Sequence, residues 1–229
     1  MACWPVWAAL ALAALIELVL TLADHGLVGS PRWRALAYGY GAFWPGLWTG
    51  WSVNYPGQSW GMMLSYGLLH AGPGHLAGNA LVIALIAPDL ARALGRRPAP
   101  RLAGLWLVTQ LGGCIGFGLL HGGAQPMVGA SGVAFGLVMA QQLARARQDR
   151  LLGLEAGARR RILATFALLM LANAASWLML AGQLAWETHL GGTLGGILGW
   201  WLLAPDPPNP GAGPRHGATA PDRGPGPKP

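Results

Sequence analysis

Apolar runs of about twenty residues constrain this chain more than any other feature, because a run of that length matches the thickness of a bilayer. They fall at about 4–23, 73–91, 102–121, 127–144, 162–182 and 187–204. Inside lipid every backbone polar group must be bonded internally, so each run is expected to be a helix. Only 10% of the residues are charged and 53% are hydrophobic, whereas soluble domains run near a quarter charged. The expected fold class is therefore an all-α polytopic membrane protein with six transmembrane helices. The first run is too long for a signal-peptide core and lacks a small-residue cleavage site after it, so it is read as a retained anchor.

The cationic residues set the topology. Arg92, Arg96, Arg97 and Arg101 fall between the second and third runs. Arg145, Arg147, Arg150, Arg159, Arg160 and Arg161 fall between the fourth and fifth, and Arg215, Arg223 and Lys228 follow the last. Thirteen of the fifteen Lys and Arg residues thus lie on one side, which the positive-inside rule makes cytoplasmic. Both termini are then expected inside. The net charge of +7 is explained by this bias rather than by contact with nucleic acid.

Residues 24–69 form a long connection rich in Trp, Tyr, Gly and Pro, suited to lying in the membrane interface. Two domains follow from this: a helical membrane domain over 1–204 and a Pro/Gly-rich cytoplasmic tail over 205–229, expected to be disordered. Cys3 and Cys114 have no metal-ligand spacing and are read as small apolar residues.

Ser131 opens the fourth run, His189 opens the sixth, and His75 and Asn79 sit four apart on the second, with His70 just before it. The topology puts all five in the outer half of the bundle. Polar and ionisable groups there are costly and mark working sites. A serine hydroxyl becomes a useful nucleophile only when a base takes its proton, so His189 must reach Ser131. Gly132 and Gly136, with Gly192 and Gly196, have the small-xxx-small spacing that lets helix backbones meet. His75 and Asn79 share a helix face and can both point at a developing oxyanion, with the Ser131 N–H as a third donor.

The run His70-x4-His75-x3-Asn79, the segment Gly129-x-Ser131-Gly132, and His189-x2-Gly192-x3-Gly196 together resemble the rhomboid family of intramembrane serine proteases. The resemblance spans residues 4 to about 204. It implies a rhomboid-like six-helix bundle with a water-accessible cavity opening outward, and a Ser131–His189 dyad with no acidic third member. By the same resemblance His75 and Asn79 stabilise the oxyanion, His70 supports the cavity, and the substrates are single-span membrane proteins. One departure concerns the Trp-Arg pair that many relatives carry shortly before the first histidine. Here Trp33-Arg34 lies far upstream, and Gln58-Ser59-Trp60 occupies the usual place.

Other polar residues are read as structural. Glu17 should face the bundle, hydrogen-bonded or neutral. Thr109, Gln110, Asn173 and Ser176 are read as packing contacts, and His25, His121 and His216 carry no assigned role. Competing functions are a non-catalytic relative that binds transmembrane segments, a metal-dependent protease and a transporter. Retention of both serine and histidine argues against the first. The absence of a His-Glu-x-x-His motif argues against the second, and the lack of an inverted repeat against the third. No cofactor or metal is expected; the partners are the lipid bilayer and substrate helices. Gly, Ala, Arg and Pro usage suggests a bacterial inner membrane.

Overall fold

The computed structural model describes residues 2–181 and 183–205. Among them the chain is helical apart from one isolated bridge pair, Phe43 with Met127. The helices are α1 (Trp4–Asp24), α2 (Trp33–Gly41), α3 (Gln58–Ser65), α4 (Pro73–Ala93), α5 (Pro98–Leu120), α6 (Ser131–Leu151), α7 (Glu155–Met179) and α8 (Trp186–Leu203). Prolines in the first turns of α1, α4 and α5 explain three of these starts, since a missing N–H is harmless there and the fixed φ is already helical. The tail expected to be disordered lies, from residue 206 on, outside the described residues.

Four helices, α1, α4, α5 and α7 from Gly157 on, are long and apolar enough to cross a membrane by length and composition. The protein is thus a multi-pass, all-helical membrane bundle. Polar Gln141, Gln142, Arg145 and Arg147 dilute α6, and glycines with Glu187 and His189 dilute α8. The α6 helix is largely buried, and α8 packs on α5 along one face and on α6 along another, leaving a third stripe with Leu194, Leu198 and Trp201 exposed. A sheathed helix need not be lipid-compatible all round.

Glycine makes that two-sided packing possible. On α8, Gly191 and Gly195 lie against Gly112, Gly116 and Thr109 of α5, while Gly192 and Gly196 lie against Gly132 and Gly136 of α6. A Cβ on Gly192 or Gly196 would collide with the carbonyl of Gly132 or Gly136, and one on Gly191 with that of Gly112. The small-xxx-small spacing expected between α6 and α8 is therefore present as backbone contact, and a second such seam joins α8 to α5.

The connection between α1 and α4 folds into α2, α3 and two 3-10 turns, Pro45–Trp48 and Tyr66–Leu68. It is anchored from beneath. Tyr66 is fully buried and donates to the Gln110 carbonyl at 2.7 Å, while Gln110 Nε2 donates back to the Leu64 carbonyl at 2.9 Å. Gln110 is thus a strut between this connection and α5. Phe43 exchanges both backbone bonds with Met127 at 2.9 Å, and Gly129 N–H donates to the Tyr66 carbonyl. Those bonds hold residues 127–130 off the helix, so α6 begins at Ser131 and not at 127 as the apolar run suggested.

Glu17 is buried in α1 (2% exposed) and ion-paired. The Arg34 guanidinium grips it bidentately, Nη2 to Oε1 at 2.8 Å and Nη1 to Oε2 at 3.0 Å, and Thr21 adds a hydroxyl bond. The same arginine donates to Asp24 at 2.6 Å and to the His70 carbonyl at 2.9 Å, where the Tyr38 hydroxyl joins it at 2.8 Å. The displaced Trp33-Arg34 therefore folds back beneath His70.

Removing Arg34 strands a buried carboxylate, so Arg34→Ala should lower the unfolding free energy by about 3–5 kcal/mol, with partial recovery in Arg34→Ala/Glu17→Gln. Thermal unfolding in detergent reads this out, and an unchanged midpoint would mean that the pair carries no load. Gly196→Ala should destabilise by about 1–3 kcal/mol through overpacking. Gly78→Ala, where nothing lies within 4 Å of the new methyl, should be neutral or stabilise by up to about 1 kcal/mol. Equal midpoints for the two alanine variants would contradict the seam.

Candidate active site

Ser131 is the first residue of α6 and is half-buried. Gly129, two residues earlier, has φ of +115°, a conformation that residues with side chains rarely adopt. The turn swings the chain from the pinned strand-like segment into the helix. Ser131 consequently sits where the N–H groups of a 21-residue helix have no intrahelical acceptors. Those N–H groups and the helix dipole favour negative charge at this end.

His189 is in the first turn of α8 and is 5% exposed. Its Nε2 lies 2.8 Å from Ser131 Oγ. The backbone seam sets this distance: Gly192, three residues after His189, abuts the Gly132 backbone, one residue after Ser131. Phe135, one turn below Ser131, stacks on the imidazole with centroids 4.2 Å apart and planes 10° apart. Nδ1 on the far side of the ring lies 2.7 Å from Asn173 Oδ1 of α7. Asn173, read from sequence as a packing contact, is therefore a direct partner of His189.

His75 and Asn79 flank the same point from α4. Ala71 N–H donates to His75 Nδ1 at 3.3 Å, which leaves Nε2 as the N–H side of that ring. A Cβ on Gly129 would lie 2.9 Å from His75 Nε2 and 3.5 Å from Asn79 Nδ2, so only glycine admits both side chains beside the serine loop. Asn79 Nδ2 is buried with no partner. Unpaired buried donors are rare and ask for an explanation; this one lies next to Gly129, two residues before Ser131.

His70 is fully buried and touches the serine loop rather than the serine. Its Nε2 accepts from Ala130 N–H at 3.3 Å, and its ring stands edge-on to His75 with centroids 5.2 Å apart. Burial, reinforced by the neighbouring His75, pushes this imidazole down to about 4. It is neutral near pH 7, as an acceptor nitrogen must be. Arg34 and Tyr38 hold the His70 carbonyl, so one chain of bonds runs from Glu17 through His70 to the residue before Ser131.

Sequence reasoning missed Phe135, although its spacing of four from Ser131 on one helix could have suggested it. It also missed His121, which pairs with buried Glu187 at 3.0 Å in the first turn of α8. Among the described residues, no group of three or more His, Cys, Asp or Glu is placed to hold a metal ion.

The Rhomboid domain family model matches residues 56–206, from just before α3 to just past α8. No curated protein and no solved structure gives a match. The matched stretch contains the serine loop, the α4 pair and the α8 histidine, and it covers more than half of the chain: this protein belongs to the rhomboid family of multi-pass membrane proteins.

Proposed function

We propose that the protein is an intramembrane serine endopeptidase that cuts transmembrane substrates near or within the bilayer. The observation that carries this reading is the 2.8 Å approach of His189 Nε2 to Ser131 Oγ. As substrate carbonyl carbon meets Oγ, Nε2 takes the hydroxyl proton and a C–O bond forms. The oxyanion of the tetrahedral intermediate is met by the idle Asn79 Nδ2, by His75 Nε2–H and by the Ser131 N–H, each such donor worth about 2.7–4 kcal/mol in related chemistry. Collapse breaks the C–N bond, and His189 returns the proton to the leaving amine. Water, deprotonated by the same nitrogen, then releases the acyl group from Ser131.

All six long helices, α1, α4, α5, α6, α7 and α8, cross the membrane, with both termini cytoplasmic and the site opening to the outer side of a bacterial inner membrane. The arginines between α4 and α5 and between α6 and α7 support this orientation. Gly74 and Gly78 on α4, beside His75 and Asn79, face open space and offer a path for a substrate segment. That segment must unwind to present its backbone, so helix-weakening Gly, Ala or Pro near the scissile bond should be required.

Purified Ser131→Ala and His189→Ala proteins should each cleave a reporter with one transmembrane segment at least about 10^3-fold more slowly than wild type, while inserting and folding normally. Cleavage by Ser131→Ala at the wild-type rate would refute the nucleophile. Failure of the wild type to cleave any such reporter would favour a non-catalytic relative that binds transmembrane segments. For orientation, a cysteine placed at exposed Gly122 should react with an impermeant maleimide on intact cells, and one at Arg96 should not. The reverse pattern would overturn the topology.

A further inference from the structure

A histidine acting as base toward Ser131 must keep Nε2 bare, so its proton has to reside on Nδ1. In a site where His189 is 5% exposed, that Nδ1–H needs a protein acceptor. Asn173 Oδ1 lies 2.7 Å away. An amide could offer either its oxygen or its nitrogen, but here the choice is made by the other end of the side chain. Asn173 Nδ2 lies 3.1 Å from the Trp186 carbonyl, and a carbonyl can only accept. The amide nitrogen must face Trp186, so the oxygen must face the ring. Trp186 precedes His189 by three residues on α8, so one amide ties both the imidazole and the turn that carries it to α7.

The setting adds weight. Asn173 is 4% exposed, whereas Leu168, Leu171, Trp177 and Leu178 around it on α7 are exposed. A buried polar side chain on a predominantly apolar helix has a cost that a specific partner must offset. With Phe135 stacked on one ring face, Ser131 at Nε2 and Asn173 at Nδ1, the imidazole has no free rotation about χ2. The other titratable group within electrostatic reach of the ring is His75 on α4, and Glu187 on α8 itself turns to His121.

We infer that Asn173 is a positioning residue that completes a Ser131–His189–Asn173 relay and holds His189 in the tautomer that can accept the serine proton. This rests on the serine endopeptidase reading above. A neutral amide orients the base without placing a negative charge beside it, unlike a carboxylate third member.

The test uses full-length protein in detergent with the single-span reporter, comparing wild type, Asn173→Leu, Asn173→Asp and Ser131→Ala. Asn173→Leu removes the acceptor while keeping the same branching and number of side-chain heavy atoms. It should lower kcat by about 10- to 100-fold, part of the span that general-base catalysis supplies, with KM within about twofold. Labelling of Ser131 by a fluorophosphonate should slow by a similar factor. Asn173→Asp restores an acceptor and should recover most of kcat, with the acid limb of its pH profile displaced upward because a carboxylate favours the imidazolium. An unchanged kcat in Asn173→Leu, or an Asn173→Asp protein as slow as Asn173→Leu, would overturn the inference; so would a loss confined to KM. Ser131→Ala separates the two levels: if it cleaves like wild type, the nucleophile assignment fails. If it is dead while Asn173→Leu is normal, only the role of Asn173 fails.

Discussion

Backbone-to-backbone contact along α8 is the constraint on which the rest of this molecule depends. In a bilayer, apolar burial gives helices little reason to choose one another, so association comes from close packing and interhelical polar contacts. Gly191 and Gly195 admit α5, while Gly192 and Gly196 admit α6. A helix clasped on two adjacent faces can neither rotate nor slide without collision. His189 sits at the end of that clasped segment, so its ring inherits the precision of the glycine seams. The same glycines, with Glu187 and His189, leave α8 too weakly apolar to look like a spanning helix by composition.

The second requirement is a serine loop that is extended just before it becomes helical. No part of 127–131 could hold that shape alone. Phe43, Tyr66 and His70 each supply one element of it, through a bridge pair, a carbonyl and a ring nitrogen respectively. Their own segment is braced by Gln110 from α5 and by Arg34, which carries the load to Glu17 in α1. A continuous set of polar bonds thus runs from the first helix to the residue before Ser131. A charged pair this deep would be a poor source of stability by itself; its value lies in fixing where the His70 backbone sits.

Much of this was legible because it repeats along single helices. The spacing of Gly132 with Gly136 and of Gly192 with Gly196, the step of four from His75 to Asn79, and the arginine-rich connections are local patterns, and family membership follows from them. What escaped was azimuth and distant pairing. Asn173 lies sixteen residues from His189 on another helix, and nothing in its own span says which way it faces. The link between Glu17 and Arg34 depends on how the connection after α1 turns back, which no periodicity encodes. The apolar run at 127–144 misplaced the start of α6 because hydropathy cannot register a bridge to Phe43. The second glycine seam, Gly112 and Gly116 against α8, was visible in spacing, but spacing alone does not name the helix that it meets.

Chemically, the site is a small set of donors and one acceptor arranged before any substrate arrives. The Nε2 of His189 lies against Ser131 Oγ, and the unpaired Nδ2 of Asn79 lies beside Gly129 of the serine loop. Such preorganisation is what lets fixed dipoles stabilise a transient charge without moving. An experimental structure of the protein after reaction with a fluorophosphonate tests this directly. The account predicts a single adduct on Ser131 Oγ, the phosphoryl oxygen within hydrogen-bond reach of Asn79 Nδ2 and His75 Nε2, and the His189 ring still beside it. An unmodified Ser131, or an adduct whose phosphoryl oxygen turns away from α4, would contradict it.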